Sequence, residues 1–185
     1  IGSLDGDVIE GSALANALFG ELGNDTLRGM DGDDLLIGGG DDDQLDGGSG
    51  FDTADYSGAG AAVVVNLAAG IAGGAAGADT LVSIESVLGT AFADVITGSG
   101  AAERFYGGAG ADAIDGGAGE DTLDYGSAAA GLIVRLDLGT STDAFGAIDT
   151  ISSIEVVVGS GFDDQMTGSG ASERLFGGGG DDRLI

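Results

Sequence analysis

Residues 107–115 read GGAGADAID and residues 116–124 read GGAGEDTLD, so one nine-residue unit occurs twice in succession. The same frame, with glycine at its first position, runs from Gly2 to Asp55, from Gly89 to Asp124 and from Gly159 to Ile185. It accounts for thirteen nonapeptides in a chain of 185 residues. An internal repeat of this kind predicts a stacked solenoid.

The nine positions divide into a turn and a strand. Position six is acidic in twelve copies, and position eight is large and apolar in twelve. Glycines at positions one to four permit the turn, and period-two alternation over positions seven to nine points position eight inward. Two nonapeptides then make one coil of eighteen residues. The sequence predicts an all-β, parallel β-roll with almost no helix and these residues buried: Leu27, Leu36, Leu45, Ile114, Leu123 and Leu184.

The charge of the chain limits its partners. Thirty-two acidic residues face five arginines, giving a formal net charge of −27, and His, Cys and Lys are absent. Nucleic acid and anionic membrane surfaces would be repelled. Without His or Cys, the available metal ligands are carboxylate and carbonyl oxygens, which suit Ca²⁺ best. A divalent cation between stacked turns would convert the repulsion of the acidic columns into cohesion.

The pattern Gly-Gly-x-Gly-x-Asp-x-(large apolar)-x resembles the RTX (repeats-in-toxin) or hemolysin-type calcium-binding repeat. The resemblance implies a right-handed parallel β-roll, Ca²⁺ bound in the turns, and export of the parent protein from a bacterium by type I secretion. It implies that each ion lies between turns on the same edge, with position-six carboxylates and loop carbonyls as ligands.

Carried onto this chain, the resemblance implies seven candidate pairs and about five to seven ions. The pairs are Asp7 with Asp25, Asn16 with Asp34, Asp25 with Asp43, Asp34 with Asp52, Asp94 with Asp112, Glu103 with Asp121, and Asp164 with Asp182. The candidate metal ligands are Asp7, Asp25, Asp34, Asp43, Asp52, Asp94, Asp112, Asp121, Asp164 and Asp182. Pairs that contain Asn16 or Glu103 depart from the pattern, as do turns in which Phe92 or Phe162 replaces the second glycine.

Two segments separate the three blocks of nonapeptides, which are 2–55, 89–124 and 159–185. We call them insert one (56–88) and insert two (125–158). The inserts are duplicates, so the chain is a single array, 1–185, with a larger repeat of about 70 residues. Each insert is expected to form two strands around a Gly/Ala/Thr-rich loop and to extend the coil stack or cover one of its faces.

Other polar and aromatic residues fall outside the regular pattern. The insert acids Asp79, Glu85, Asp149 and Glu155 are interpreted as capping or surface charges, with calcium ligation as the alternative. The second nonapeptide of each block lacks Asp at position six, and Phe19, Tyr106 and Phe176 end these units. These units are interpreted as coils without metal, whose arginines offset local charge; the alternative is an aromatic contact surface.

Two functions remain open at this stage. The chain is expected to be either a calcium-triggered folding and export module of a secreted bacterial protein or an element of a self-assembling surface layer, adhesin or matrix filament. Catalysis is not expected, since no nucleophile–base set is present. Residues 56–78 are uncharged, but their Gly/Ala composition argues against a membrane span. The uncapped first and last coils predict a piece of a longer polypeptide, or stacking between chains.

Overall fold

The computed structural model describes residues 1–185, which form twenty-one β-strands and no helix. They lie in two sheets, which we call the long sheet and the short sheet. The short sheet has eight strands: β2 (Ala17–Leu22), β4 (Leu35–Gly40), β6 (Thr53–Asp55), β10 (Ser86–Leu88), β12 (Arg104–Tyr106), β14 (Thr122–Asp124), β18 (Val156–Val158) and β20 (Arg174–Phe176).

The long sheet has thirteen strands. They are β1 (Val8–Glu10), β3 (Thr26–Asp31), β5 (Gln44–Ser49), β7 (Val63–Asn66), β8 (Ile71–Gly74), β9 (Gly77–Val82), β11 (Val95–Thr97), β13 (Ala113–Asp115), β15 (Ile133–Arg135), β16 (Thr140–Thr142), β17 (Ile148–Ser152), β19 (Gln165–Thr167) and β21 (Arg183–Leu184). The chain alternates between the two sheets, apart from β7–β9 and β15–β17, which all lie in the long sheet.

Parallel pairing joins residues that are eighteen positions apart. Ile9 pairs with Leu27 in the long sheet, and Leu18 pairs with Leu36 in the short sheet. Each coil is therefore two nonapeptides long, and the expected parallel β-roll is confirmed.

Position-eight side chains fill the space between the sheets. Leu27, Leu36, Leu45, Ile114 and Leu123 are each at most 2% exposed, as expected from the alternation of the strands. Leu184 was expected to be buried, and this prediction is wrong: its side chain is 46% exposed. The reason is that β21 is the edge strand of the long sheet and pairs only with β19, so one side of Leu184 is uncovered.

The inserts extend the stack. In insert one, β9 pairs in parallel with β5, β7 pairs in parallel with β11, and β8 lies antiparallel between them. Insert two repeats this with β17, β16 and β15. Each insert thus forms a three-stranded meander in the long sheet and one strand in the short sheet, which is more than the two strands expected. The Gly/Ala-rich part of insert one itself forms β8.

Candidate metal-binding turns

The position-six residues form two columns along the edges of the roll. The first column lies at the turns that lead into the parallel strands of the long sheet, and the second at the turns that lead into the short sheet. The first column contains Asp7, Asp25, Asp43, Asp79, Asp94, Asp112, Asp149, Asp164 and Asp182. The second column contains Asn16, Asp34, Asp52, Glu85, Glu103, Asp121, Glu155 and Glu173.

A hydrogen bond links neighbouring members of each predicted pair. The backbone N–H of one position-six residue donates to Oδ1 of the acid one coil later; for example, Asp25 N donates to Asp43 Oδ1 at 2.9 Å. In all seven pairs the N···Oδ1 distance is 2.7–2.9 Å. The structure therefore brings together every pair that the sequence predicted.

The second carboxylate oxygen behaves differently from turn to turn. Six buried acids of the nonapeptides have an Oδ2 atom with no hydrogen-bond partner: Asp25, Asp34, Asp43, Asp52, Asp112 and Asp121. Each of these residues is at most 2% exposed. A buried anionic oxygen without a partner is costly, so its recurrence in six similar turns indicates that these turns bind a cation.

The raised pKa values of these acids also indicate that the folded turns need a positive charge nearby. Burial raises the pKa of Asp43 to about 7, and the neighbouring carboxylates of Asp79 and Asp25 act in the same direction. Burial likewise raises the pKa of Asp112 to about 7 and of Asp121 to about 6. In the absence of a cation, these sites therefore favour protonated carboxyls, because the ionised form is both desolvated and surrounded by like charge.

Carboxylates alone do not complete a coordination sphere. No group of three or more Asp or Glu side chains converges in a way that could hold a metal ion. The remaining ligands would be backbone carbonyl oxygens, which Ca²⁺ accepts readily. The turns pack closely enough to provide them, since a Cβ atom added to Gly39 would lie 1.9 Å from the carbonyl oxygen of Glu21.

In six other turns, a hydroxyl residue at position two closes the turn. Thr90 N donates to Asp94 Oδ2 at 2.6 Å, and Thr90 Oγ1 donates to Asp94 Oδ1 at 2.9 Å. In all six turns the position-two N–H donates to the position-six side chain, and in five the hydroxyl also donates to it. We call these the capped turns; their position-two residues are Ser3, Ser12, Thr90, Ser99, Ser160 and Ser169.

The turns whose acids keep a free Oδ2, which we call the open turns, have another backbone conformation. Their position-two residues all have positive φ, from 81° to 109°, whereas no position-two residue of a capped turn does. Four of these residues are glycine, which adopts this region without strain. The other two are Glu21 and Met30, with φ values of 81° and 84°. Position two therefore distinguishes the two kinds of turn.

The ten predicted ligands divide accordingly. Six belong to open turns, and Asp7, Asp94 and Asp164 belong to capped turns. Asp182 is half-buried in a turn of the open type, with Gly178 at φ 96°.

The acids of the inserts lie in the same columns as the position-six residues of the nonapeptides. Asp79 and Asp149 are only 2% exposed and extend the first column, so they are not surface charges, although each caps the preceding turn by accepting a backbone N–H. Asp79 Oδ1 accepts the N–H of Asp43, and Asp149 Oδ1 accepts the N–H of Asp112. Glu85 and Glu155 similarly accept the N–H groups of Asp52 and Asp121. The sequence could have predicted the place of Asp79, since residues 74–82 read GAAGADTLV, a nonapeptide frame with Gly at positions one and four and Asp at six.

Four of the five arginines form ion pairs with acidic side chains. The four ion pairs are Arg28–Glu10, Arg104–Asp124, Arg135–Asp137 and Arg174–Glu120, and Arg104 also lies over the ring of Phe51 at 5.6 Å. Exposed pairs of this kind contribute about 0–1 kcal/mol each, so they offset charge locally but do not neutralise the acidic columns.

Fold and turns together define a calcium-binding β-roll. The sequence profile of the RTX calcium-binding nonapeptide repeat (4 copies) matches residues 1–27, 19–54, 84–113, 97–128 and 149–184. These matches cover more than two thirds of the chain, which therefore belongs to this family. The family is a calcium-binding structural repeat typical of secreted bacterial proteins. No curated protein matches the chain. The structure contains no helix that could span a membrane.

Proposed function

We propose that this chain is a calcium-triggered folding module of a secreted bacterial protein. It stays unfolded where calcium is scarce, and it folds into the β-roll once calcium is available outside the cell. In this proposal it serves export and then acts as a structural scaffold, with no catalytic role of its own.

The observation that carries the proposal is the set of buried Oδ2 atoms without partners in the open turns. A folded chain with these carboxylates ionised and unpaired would be unstable, and the net charge of −27 adds repulsion to every compact state. Calcium pairs these oxygens and reduces the net charge, and it does so only in the folded state, where two turns are stacked.

The expected free energy of calcium binding is large enough to drive folding. Extracellular calcium modules have dissociation constants of roughly 10⁻⁴–10⁻³ M. With a value of about 10⁻⁴ M and about 2 mM Ca²⁺, each site stabilises the folded state by about 1.8 kcal/mol. Five to seven sites would contribute on the order of 9–13 kcal/mol, which is comparable to the whole stability of a domain.

We assign the ions primarily to the open turns, with Asp25, Asp34, Asp43, Asp52, Asp112 and Asp121 as ligands. Asp182 is a weaker candidate because it is half-buried. Asp7, Asp94 and Asp164 contribute less, because the N–H and hydroxyl groups of their own turns already occupy their oxygens.

The test is a calcium titration of chelator-treated protein, followed by small-angle scattering and far-ultraviolet circular dichroism. The proposal predicts an expanded chain in chelator, and compaction with gain of β-structure at millimolar Ca²⁺. The transition should be cooperative, because neighbouring sites share turns. A radius of gyration that is already compact in chelator and unchanged by calcium would refute it.

The assembly alternative is supported by a different observation. The outward face of the meanders exposes apolar side chains, including Val64, Ile71 and Val82 in insert one and Ile133 and Ile148 in insert two. Exposed apolar surface is a common feature of contacts between chains. Sedimentation velocity with and without Ca²⁺ separates the two functions. A folded monomer at all concentrations favours the folding module, and calcium-dependent growth of the particles favours assembly.

A further inference from the structure

Insert one contains a turn that stacks on the last open turn of the first column in block 2–55. Thr80 N donates to the Asp43 carbonyl at 2.9 Å, and Asp43 N donates to Asp79 Oδ1 at 3.0 Å. Gly77, at φ 102°, lies so close to Asp41 that an added Cβ would be 1.8 Å from its carbonyl oxygen. These are the contacts that successive nonapeptide turns make, although residues 55–83 lie outside the family match.

Asp79 has an unused oxygen in this turn. Its side chain is 2% exposed, and its Oδ2 has no hydrogen-bond partner. The N–H of Ala75, which stands at position two, donates to the Ala62 carbonyl instead, so it does not cap the acid. Asp43 Oδ2 is also without a partner. Two stacked turns therefore each present a buried, unpaired carboxylate oxygen.

Insert two offers a matched site that is closed. Asp149 Oδ1 accepts the N–H of Asp112, as Asp79 Oδ1 accepts that of Asp43. However, Asp149 Oδ2 accepts hydrogen bonds from Ser141 Oγ at 2.8 Å and from the Tyr125 hydroxyl at 3.3 Å.

The two inserts differ at the residue that lies opposite the acid in the meander. Ser141 pairs with Asp149 across the meander, and Ala72 pairs with Asp79 at the same place. Tyr56 occupies the place of Tyr125 in the repeat, and its buried hydroxyl faces Asp79 without coming within hydrogen-bond distance. The Ser141 hydroxyl, which contacts both Tyr125 and Asp149, thus adds a hydrogen bond to the carboxylate that insert one lacks.

We propose that Asp43 and Asp79 hold a calcium ion between block 2–55 and insert one, and that Ser141 and Tyr125 close the corresponding site at Asp149. The inference rests on the proposed calcium binding of the open turns and adds one site outside the three nonapeptide blocks. Its ligands are the Oδ2 atoms of both acids, with backbone carbonyl oxygens completing the shell. Calcium suits this set because all the donors are oxygen.

The experiment counts the calcium ions bound per chain by native mass spectrometry of the whole chain, at saturating calcium. Asp79→Asn removes the charge but keeps the acceptor for Asp43 N. Ala72→Ser supplies the hydroxyl that closes Asp149 in insert two, and it leaves Asp79 intact. Asp149→Asn is the matched control. Circular dichroism in millimolar Ca²⁺ checks that each variant folds.

The expected result is that Asp79→Asn and Ala72→Ser each bind one ion fewer than the wild type, while Asp149→Asn binds the same number. If Asp79→Asn fails to fold, Ala72→Ser decides, because it retains the carboxylate and its hydrogen bond. An unchanged count in the folded variants of insert one would overturn the site, as would the loss of an ion in Asp149→Asn. A wild type that binds no calcium would instead contradict the proposed function itself.

Discussion

The capped and open turns place the same kind of side chain at position six, but they differ in how its oxygens are hydrogen-bonded. In the turn of Thr90 and Asp94, the protein's own N–H and hydroxyl groups satisfy both carboxylate oxygens. In the turn of Met30 and Asp34, one oxygen is left without a partner. We infer that an acidic residue at position six is not enough for a calcium site, and that the hydrogen bonds made by position two decide whether its oxygens are free to bind a cation.

The distribution of the two kinds of turn is regular. The first two nonapeptides of every block are capped, one on each edge, and the nonapeptides that follow are open. Each block thus begins with one full coil that is closed by protein groups. Asn16, the single neutral residue at position six, lies in such a coil, where Ser12 N donates to its Oδ1 at 2.6 Å. A charge is therefore dispensable in a capped turn.

The largest expected effect comes from exchanging the metal. Mg²⁺ at millimolar concentration should leave the chain unfolded, because it requires near-ideal octahedral geometry and gives up water reluctantly, whereas the open turns offer flexible carbonyl and carboxylate ligands. Circular dichroism in Mg²⁺ alone, compared with Ca²⁺, measures this difference. Equal folding in both metals would contradict the proposal that the open turns select Ca²⁺.

A smaller effect is expected when one open turn is neutralised. Asp34→Asn should disturb the site that Asp34 shares with Asp52, whereas the turn of Asn16 on its other side is capped. At about 2 mM Ca²⁺ the loss would be about 2 kcal/mol in the free energy of unfolding, measured with urea. Asp94→Asn is the matched control in a capped turn and should change the calcium dependence little. Similar calcium dependence in the two variants would contradict the division into two kinds of turn.

Acid should partly replace calcium in the open turns. In the calcium-free roll, the pKa of Asp43 and Asp112 is about 7 and that of Asp121 about 6, against about 3.9 in an unfolded chain. Since the folded state binds these protons more tightly, protonation stabilises it. The gain is complete below about pH 4 and is lost as the pH rises through 6 to 7.

Scattering of calcium-free protein at pH 5 and pH 7.5 tests this; both values lie above the isoelectric point of about 4.1. The chain should be more compact at pH 5. With limiting calcium the order should reverse, because protons then compete with the metal for the same oxygens. Greater expansion of the calcium-free chain at pH 5 would contradict the account of the buried carboxylates.

Removing a cap should cost stability without changing calcium binding. Thr90→Ala deletes the hydroxyl that donates to Asp94 Oδ1 and accepts the N–H of Phe92. Loss of these bonds should lower the free energy of unfolding by about 1 kcal/mol, as for other lost turn caps. The calcium midpoint, corrected for that loss, and the ion count should stay at the wild-type values. A gain or loss of an ion would show that the cap regulates binding at Asp94.

The smallest expected effect concerns the backbone of an open turn. Met30 has a φ of 84° where most open turns have glycine. Met30→Gly should stabilise the calcium-bound roll by less than about 1 kcal/mol, since relief of the left-handed conformation is partly offset by the entropy of glycine in the unfolded chain. Urea unfolding in saturating Ca²⁺ measures it. Ser99→Gly, in a capped turn, should destabilise the roll instead.

Much of the fold could be predicted because the repeat is local. Leu27, Leu36 and Leu45 recur every nine residues, so their burial follows from the coil alone. The antiparallel strand Ile71–Gly74 could not be predicted in this way, because its Gly- and Ala-rich sequence has little intrinsic preference for a strand and its place depends on pairing with both neighbours. Leu184 depends on what covers the last strand, which periodicity does not describe.

The pairing of the acids could also be predicted from the local repeat, but the state of their oxygens could not. The spacing of position-six acids is enough to pair Asp25 with Asp43, but it does not reveal which oxygen of each remains free. That depends on hydrogen bonds from position two, as at Thr90. Calcium ligation by Asp79 was only the alternative interpretation, because the segment between Tyr56 and Gly73 interrupts the frame before the register resumes at Gly74.

We propose that calcium binds where the second carboxylate oxygen is unpaired. A crystal structure of the calcium-bound chain, with the ions located by their anomalous scattering, would show whether it does. We expect an ion within 2.3–2.6 Å of the Oδ2 atoms of Asp25, Asp34, Asp43, Asp52, Asp112 and Asp121, and none at the turns of Ser12 and Ser99. Ions at the capped turns, or open turns without them at saturating calcium, would contradict it.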